Sequence, residues 1–205
     1  IDGTTTFGSS NHFAPFWGVG IGWNLHNEFN MDIDKVSLLK VRANIGTTGN
    51  QNVGLFSSND IYNFIPNNNS FGTGLELTQL GNENLAWQQT KDLSLGVDFE
   101  MFAGKLSGYF NAYNKKTDPL VVPINSAPST GVTSYPLNVG YLDVKGIEWK
   151  VNYSPIYNVE KNIYLSFAVF GSYIKSEYGG FNNTLSSLDE TEKNNNSLVR
   201  YRDGY

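Results

Sequence analysis

Asp98 and Glu100 stand two residues apart in the chain. On an extended strand that spacing puts both carboxylates on one face, about 7 Å apart, a separation at which paired carboxylates can hydrolyse glycosidic bonds. Both fall beside a short turn, away from any long connection that could hold a substrate, so the pair is expected to do no chemistry. The two histidines, His12 and His26, sit at opposite ends of one predicted strand and cannot join a common triad or metal cluster. There is no cysteine, which removes disulfides, thiolate metal sites and cysteine nucleophiles without fixing the compartment. Asp32 and Asp34 suggest a calcium loop, but the glycine and distal glutamate of an EF-hand are missing. The GVGIG run at 18–22 lacks the third glycine of a dinucleotide loop, and TTGNQNVG at 47–54 lacks the Gly-Lys-Ser/Thr of a phosphate loop. No enzyme, no cofactor and no metal site is expected.

The remaining charges follow a different pattern. Lys40 and Arg42 alternate with Leu39, Val41, Ala43 and Ile45, and Asp92 and Asp98 lie in a run where Leu93, Leu95, Val97 and Phe99 hold the other phase. Successive side chains on a strand point to opposite faces. Charges that alternate with apolar residues cannot face a dry core, but they fit a water-filled or protein-filled interior. Lys40, Arg42, Asp92 and Asp98 are therefore expected to face inward.

The elements that position them are long strands. Residues 86–101 and 105–115 alternate apolar and polar side chains on either side of a turn at Ala103-Gly104-Lys105, which predicts a hairpin. Its arms run about eleven to sixteen residues, against about five to six for strands in soluble proteins. The same alternation predicts strands at 13–25, 36–46, 139–153 and 162–174. A phase slip at Lys145-Gly146 suggests a β-bulge. Connections alternate in length: short at 26–35, 102–105 and 154–161 (the last around Pro155), long at 47–85, 116–138 and 175–205. Residues 47–85 read as irregular and rich in Asn and Gly, with Phe56, Tyr62, Phe64 and Phe71 as aromatic anchors. Four prolines in 116–138 (Pro119, Pro123, Pro128 and Pro136) argue against a central strand there.

The chain has 205 residues, a net charge of −5, 14% aromatics and 21 glycines, and its mean hydropathy is −0.33. The negative charge argues against a nucleic-acid partner. No apolar run is long enough for a transmembrane helix, and residue 1 opens no signal peptide. Transmembrane strands remain compatible, because only alternate residues face lipid. Short turns at one end and long loops at the other are the habit of outer-membrane barrels, with the long loops outside the cell. Trp23, Trp87, Trp149 and Tyr153 suit aromatic girdles at the bilayer interfaces. Six strands would leave open edges in lipid, so residues 1–205 are expected to form one part of a larger barrel. A soluble sandwich or lectin-like domain is the alternative, disfavoured by strand length and by the one-sided placement of the loops.

Several segments resemble the SusC/RagA family of TonB-dependent outer-membrane transporters of Bacteroidetes. VSLLKVRANIGTTGNQNVG is similar to that family's LK-R-S-G-TGNQ segment. NENLAWQQTKDLSLGVDFEMFAGKLSGYFNAYNKKTDPLVV resembles its N-x-x-L-x-W-E segment, its G-x-D strand end and its Y-x-K-x-T-x-D-L-L strand. NVGYLDVKGIEWKV resembles N-x-G-x-x-x-N-K-G-x-E. Departures are small: Gln88 replaces the usual Glu, Val144 stands where Asn is common, and Pro119 interrupts D-L-L. The resemblance covers nearly the whole chain.

It implies an all-β fold: six antiparallel transmembrane strands from the C-terminal half of an outer-membrane β-barrel of about 22 strands, in the outer membrane of a Gram-negative, Bacteroidetes-like cell. The implied partners are the remainder of the barrel and its plug, on the same or a separate chain, a SusD-like lipoprotein, TonB through the plug region, and outer-membrane lipid. The plug, the TonB box and the barrel's last strand are expected to lie outside these residues. Import of oligosaccharides or peptides is the function expected. The alternative is a structural or accessory barrel in a larger envelope complex, without a transported ligand. Phe56, Tyr62, Phe64 and Tyr135 are the candidates for contact with ligand or lid. Lys40, Arg42, Asp92 and Asp98 are the candidates for contact with the plug or the hydrated lumen.

Overall fold

A computed structural model of the chain describes residues 1–7, 11–51, 54, 56–69, 72–126, 128–158, 163–181 and 203–204. In chain order the elements are β1 (Asp2–Gly3), β2 (Phe13–Ala14), β3 (Gly18–Asn24), the one-turn helix α1 (Leu25–Glu28), β4 (Val36–Asn50), β5 (Ile61–Asn69) and β6 (Gly72–Gln79). They continue with β7 (Gln88–Met101), β8 (Leu106–Thr117), β9 (Val121–Asn125), a 3-10 turn at Pro128–Thr130, β10 (Ser134–Asn138), β11 (Tyr141–Asn158) and β12 (Ile163–Gly179). No helix among the described residues is long and apolar enough to cross a membrane.

One antiparallel sheet dominates. Its strand order is β12-β11-β8-β7-β4-β3, and the three remaining strand pairs, β1-β2, β5-β6 and β9-β10, are two-stranded ribbons. Directly opposed residues share a face, so the register sorts the side chains. One row runs Asn24, Lys40, Asp98, Tyr109, Lys150, Phe170, and the next row, on the other face, runs Trp23, Val41, Val97, Phe110, Trp149, Gly171. The sheet thus has a polar face and an apolar face. Ile21 is 72% exposed, Val169 58% and Leu95 54%, an apolar surface far too continuous to be left in water.

The buried apolar side chains lie elsewhere. Phe7, Ala14, Leu85 and Trp87 form one cluster, with Phe16 and Val121 against it, and Leu120, Val122, Ile124 and Phe181 form a second. None belongs to the six long strands; both clusters sit at the end of the sheet that carries the long connections. The two faces of a sandwich would bury their shared core between sheets. This chain buries its core at the loop bases instead.

Several details differ from the sequence reading. The strand expected at 13–25 is two pieces, because Pro15 has no N–H for the ladder; the β3–β4 pairing starts where Thr47 N donates to Trp17 O at 2.8 Å. The ladder of β11 passes Lys145 and Gly146 without a slip, and the irregularity falls between Tyr153 and Ile156. Pro155 is the cause: it cannot donate, and the strand resumes beyond it, so β11 runs on to Asn158, inside the turn expected at 154–161. The 47–85 stretch is not wholly irregular but contains the β5-β6 hairpin, and β4 and β12 run on to Asn50 and Gly179. Trp87 is 5% exposed and packed inside the first cluster, so it belongs to no interfacial girdle. Trp23 and Tyr153 do lie exposed on the apolar face. Phe71, and residues 182–202 and 205 of the last long loop, lie outside the described residues.

Candidate functional site

The polar face holds one well-formed charge cluster. Arg42 on β4 and Asn111 on β8 stand on either side of Gly96 on β7, each directly opposite it. A Cβ at Gly96 would lie 2.6 Å from Asn111 Oδ1 and 2.9 Å from Arg42 Nη2. Glycine therefore opens the lane by which the guanidinium crosses the strand. Arg42 Nη2 donates to Asp98 Oδ1 and to Asn111 Oδ1, both at 2.9 Å. Arg42 Nε lies 2.6 Å from Asp98 Oδ2. Its N–H is not aimed at that oxygen, so Nε adds charge attraction while Nη2 makes the hydrogen bonds. The two side chains are 34% and 27% exposed, and the pair is worth on the order of 1 kcal/mol after solvent screening.

Asp92 pairs with the directly opposed Lys115 at 3.4 Å. Its other oxygen, Oδ1, is buried without a hydrogen-bond partner among the described residues. Between the two pairs is a polar hollow of about 250 Å³, lined by Arg42, Asn44, Asp92, Asn111, Lys115 and Glu148. It offers fixed donors and acceptors to an oncoming polar surface. Lys40 lies directly opposite Asp98, and its stem runs over Gly22, with Cε 3.0 Å from where a Cβ would sit. Lys40, Arg42, Asp92 and Asp98 thus share one face of the sheet. Of the neighbouring carboxylates, Asp98 is held by Arg42, and Glu100 Oε1 accepts from Ser37 Oγ at 3.0 Å.

The loop candidates separate into two groups. Tyr62 is directly opposite Leu77, and Phe64 opposite Leu75, so the four form one face of the β5-β6 hairpin. Tyr62 is 53% exposed, Phe64 75% and Leu75 64%. Phe56 sits before the hairpin with φ 59°, and its carbonyl accepts from Gln79 Nε2 at 2.8 Å. Tyr135 is different: it lies opposite Ile124 on the β9-β10 ribbon and packs against the second buried cluster. Histidine takes no common site either. Leu39 N donates to His26 Nδ1 at 3.3 Å, while His12 lies by β2.

Sequence reasoning overlooked a clamp of asparagines at the loop base. Ala86 N donates to Asn138 Oδ1 at 2.7 Å, and Asn138 Nδ2 returns a bond to Ala86 O at 2.9 Å. Asn82 Nδ2 donates to Pro136 O at 3.0 Å, and Trp87 Nε1 to Asn11 O at 2.8 Å. The available signal was the N-x-x-L-x-W spacing itself, whose Asn82, Leu85 and Trp87 turn out to be the hydrogen-bonded and packed members of this joint.

Comparison with known proteins accounts for this geometry. The family model of the TonB-dependent-receptor-like β-barrel matches residues 1–204. TonB-dependent receptor P3 of Formosa agariphila is 32% identical over 162 residues, covering 77% of this chain and 16% of its own length. TonB-dependent receptor SusC of Bacteroides thetaiotaomicron is 28% identical over 221 residues, covering 100% of this chain and 22% of its own. The structure of the RagAB peptide transporter superposes with a TM-score of 0.77 at 24% identity, over 84% of this chain and 19% of that one. The chain therefore spans roughly a fifth of the length of SusC and of the RagAB chain. Such receptors sit in the outer membrane of Gram-negative bacteria, and theirs is a transporter family rather than an enzyme class. The chain belongs to the TonB-dependent receptor β-barrel family, is similar in sequence to SusC and shares its fold with the RagAB transporter.

Proposed function

We propose that this chain is a section of the wall of an outer-membrane importer, working with a SusD-like lipoprotein at its loop end and driven by TonB through a plug. The cargo class is oligosaccharide or peptide. The observation that carries this reading is the two-faced sheet, apolar and exposed on one side, with fixed, hydrogen-bonded charge on the other. In this reading the apolar face meets lipid and the polar face lines the lumen. The hollow between Arg42, Asp92 and Lys115 takes polar groups of the plug, and Asp92 Oδ1 accepts a donor there. The long connections stand outside the cell, and the Tyr62, Phe64, Leu75 and Leu77 face of β5-β6 meets the lipoprotein.

The test uses the full-length protein extracted from outer membranes in detergent. Mass spectrometry of the purified complex is expected to find a SusD-like lipoprotein and a bound oligosaccharide or peptide. A Tyr62→Ser/Phe64→Ser variant is expected to retain the barrel and lose most of the lipoprotein. A complex with neither lipoprotein nor ligand would overturn the import reading in favour of an accessory barrel. Unchanged recovery of the lipoprotein with the double variant would remove the hairpin from that interface.

A further inference from the structure

The two buried clusters at the loop bases draw on different stretches of the chain. The first takes Phe7, Ala14 and Phe16 from the segment before β3, and Leu85 and Trp87 from the segment before β7. The second takes Phe181 from beyond β12, with Leu142 of β11 and Tyr178 of β12 against it. Among the described residues one stretch serves both. Leu120, Val122 and Ile124 are buried in the second cluster, while Val121 packs against the first.

The sequence explains this double role. The wall strands alternate apolar with polar residues, but residues 120–124 read Leu-Val-Val-Pro-Ile, apolar at every position. Successive side chains on a strand point to opposite sides, so β9 has an apolar residue for each cluster. Its partner β10 ties the same joint by hydrogen bonds. Asn138 exchanges two bonds with the backbone of Ala86, and Asn82 Nδ2 donates to Pro136 O. The ribbon runs unbroken to the second cluster: Val139 N donates to Leu120 O at 2.9 Å, and Leu120 N to Gly140 O at 3.0 Å. The ring of Phe181 lies over Gly140, where a Cβ would come 2.5 Å from Cε1.

We propose that the β9-β10 ribbon is the key of a collar. It locks residues 11–16, 82–87, 120–139 and 178–181 into one unit that opens together, separately from the interior of the wall. Connections ordered in advance lose little further freedom when a partner or ligand docks on them, so the collar presents a pre-formed mouth. The six-stranded sheet takes no hydrogen-bonded strand from the ribbon, which leaves the collar free to open while the wall stays closed. This inference rests on the packing of the loop bases and not on import.

The test is native-state hydrogen exchange on the full-length protein in detergent, with the cut made in one cluster and read in the other. Phe181→Ala removes a ring from the second cluster. In a locked collar, exchange should rise at least about a hundredfold at 120–124 and by a similar factor at 11–16 and 82–88, with 92–101 unchanged. Val122→Ala, a smaller cut in the same cluster, should give the same pattern at about tenfold. Val121→Ser/Asn138→Ala removes the ribbon's hold on the first cluster. Adding Phe181→Ala to that background should change exchange at 82–88 by less than about threefold. Faster exchange at 120–124 with 82–88 left at its wild-type rate, in Phe181→Ala and Val122→Ala alike, would overturn the proposal. So would propagation to 82–88 that survives in the Val121→Ser/Asn138→Ala background, or an equal rise at 92–101. Absence of a lipoprotein or cargo from the purified protein would strike the import reading alone.

Discussion

Trp87 offers the sharpest test of how the loop bases are held. Its ring lies 5.0 Å from that of Phe7 and 5.6 Å from that of Phe16, centroid to centroid, among Phe7, Leu85 and Ala14, which are 1%, 0% and 2% exposed. Truncation to alanine removes this contact and leaves a cavity, at a cost of about 3–5 kcal/mol. It also takes the only indole donor from Asn11 O, a bond of 2.8 Å, worth about 1 kcal/mol more. Trp87→Phe keeps most of the ring area and loses the bond, and should cost about 1–2 kcal/mol. The cluster lies outside the six-stranded sheet, so the loss should appear as local opening and not as collapse of the wall. Native-state hydrogen exchange on the full-length protein reads this directly. Peptides covering 82–88 and 134–139 should exchange faster in Trp87→Ala by about three to four and a half orders of magnitude, and in Trp87→Phe by about one. Peptides within 92–101 should not change. Wild-type exchange at 82–88 in Trp87→Ala would refute the packing argument. Equal opening of 92–101 would show that the cluster is part of the barrel's cooperative unit.

Two further predictions concern the wall. A Cβ at Gly108 would overlap the backbone carbonyl oxygen of Lys150, which no side-chain rotation can relieve. Gly108→Ala should therefore destabilise the β8–β11 pairing by more than about 3 kcal/mol, read as loss of the heat-resistant folded band on a gel, while Gly18→Ala, with nothing within 4 Å, should keep that band. Asp98→Asn and Arg42→Lys should each lower the urea midpoint of the detergent-solubilised protein by about 1–2 kcal/mol equivalent, because lysine cannot reach Asp98 and Asn111 together. A double-mutant cycle should return a coupling of about 1 kcal/mol, and a coupling near zero would mean that the fork is incidental.

Much of the wall was legible because its signal repeats. Alternation of period two over a dozen residues has no other physical reading, so the six long strands and the face shared by Lys40, Arg42, Asp92 and Asp98 follow from residue order alone. Where a single residue decides, the pattern misleads. Pro15 interrupts a run whose polarity alternates smoothly across it. The apparent phase slip at Lys145-Gly146 reflects Leu142 and Val144 on the polar face: Leu142 packs against the second cluster, so an apolar residue there needs no bulge. The β5-β6 hairpin was obscured by its asparagines and glycines, which read as loop although Tyr62, Phe64, Leu75 and Leu77 keep strand phase. Trp87 carried the same ambiguity: its parity places it on the apolar face, yet strand β7 begins only at Gln88, and the residue before a strand is free to turn inward.

The same distinction separates what family motifs can tell from what they cannot. The residues that carry the resemblance at Asn82, Leu85 and Trp87 are clamp and packing residues, and Gly96 and Asp98 hold an internal charge cluster. Each steadies the wall or fixes where its loops start, whatever passes through. Cargo and lid contact need surface that is presented rather than consumed. Tyr135 is half-buried against the cluster around Ile124 and Phe181. Tyr62 and Phe64 are presented, on a two-stranded ribbon whose other residues are mostly polar or glycine. A ribbon of this kind can change its apolar face without disturbing the six-stranded sheet, since the sheet takes no hydrogen-bonded strand from it. Under the proposed import function, selectivity should accordingly reside in such ribbons, with the asparagine clamp holding their base at the end of the sheet.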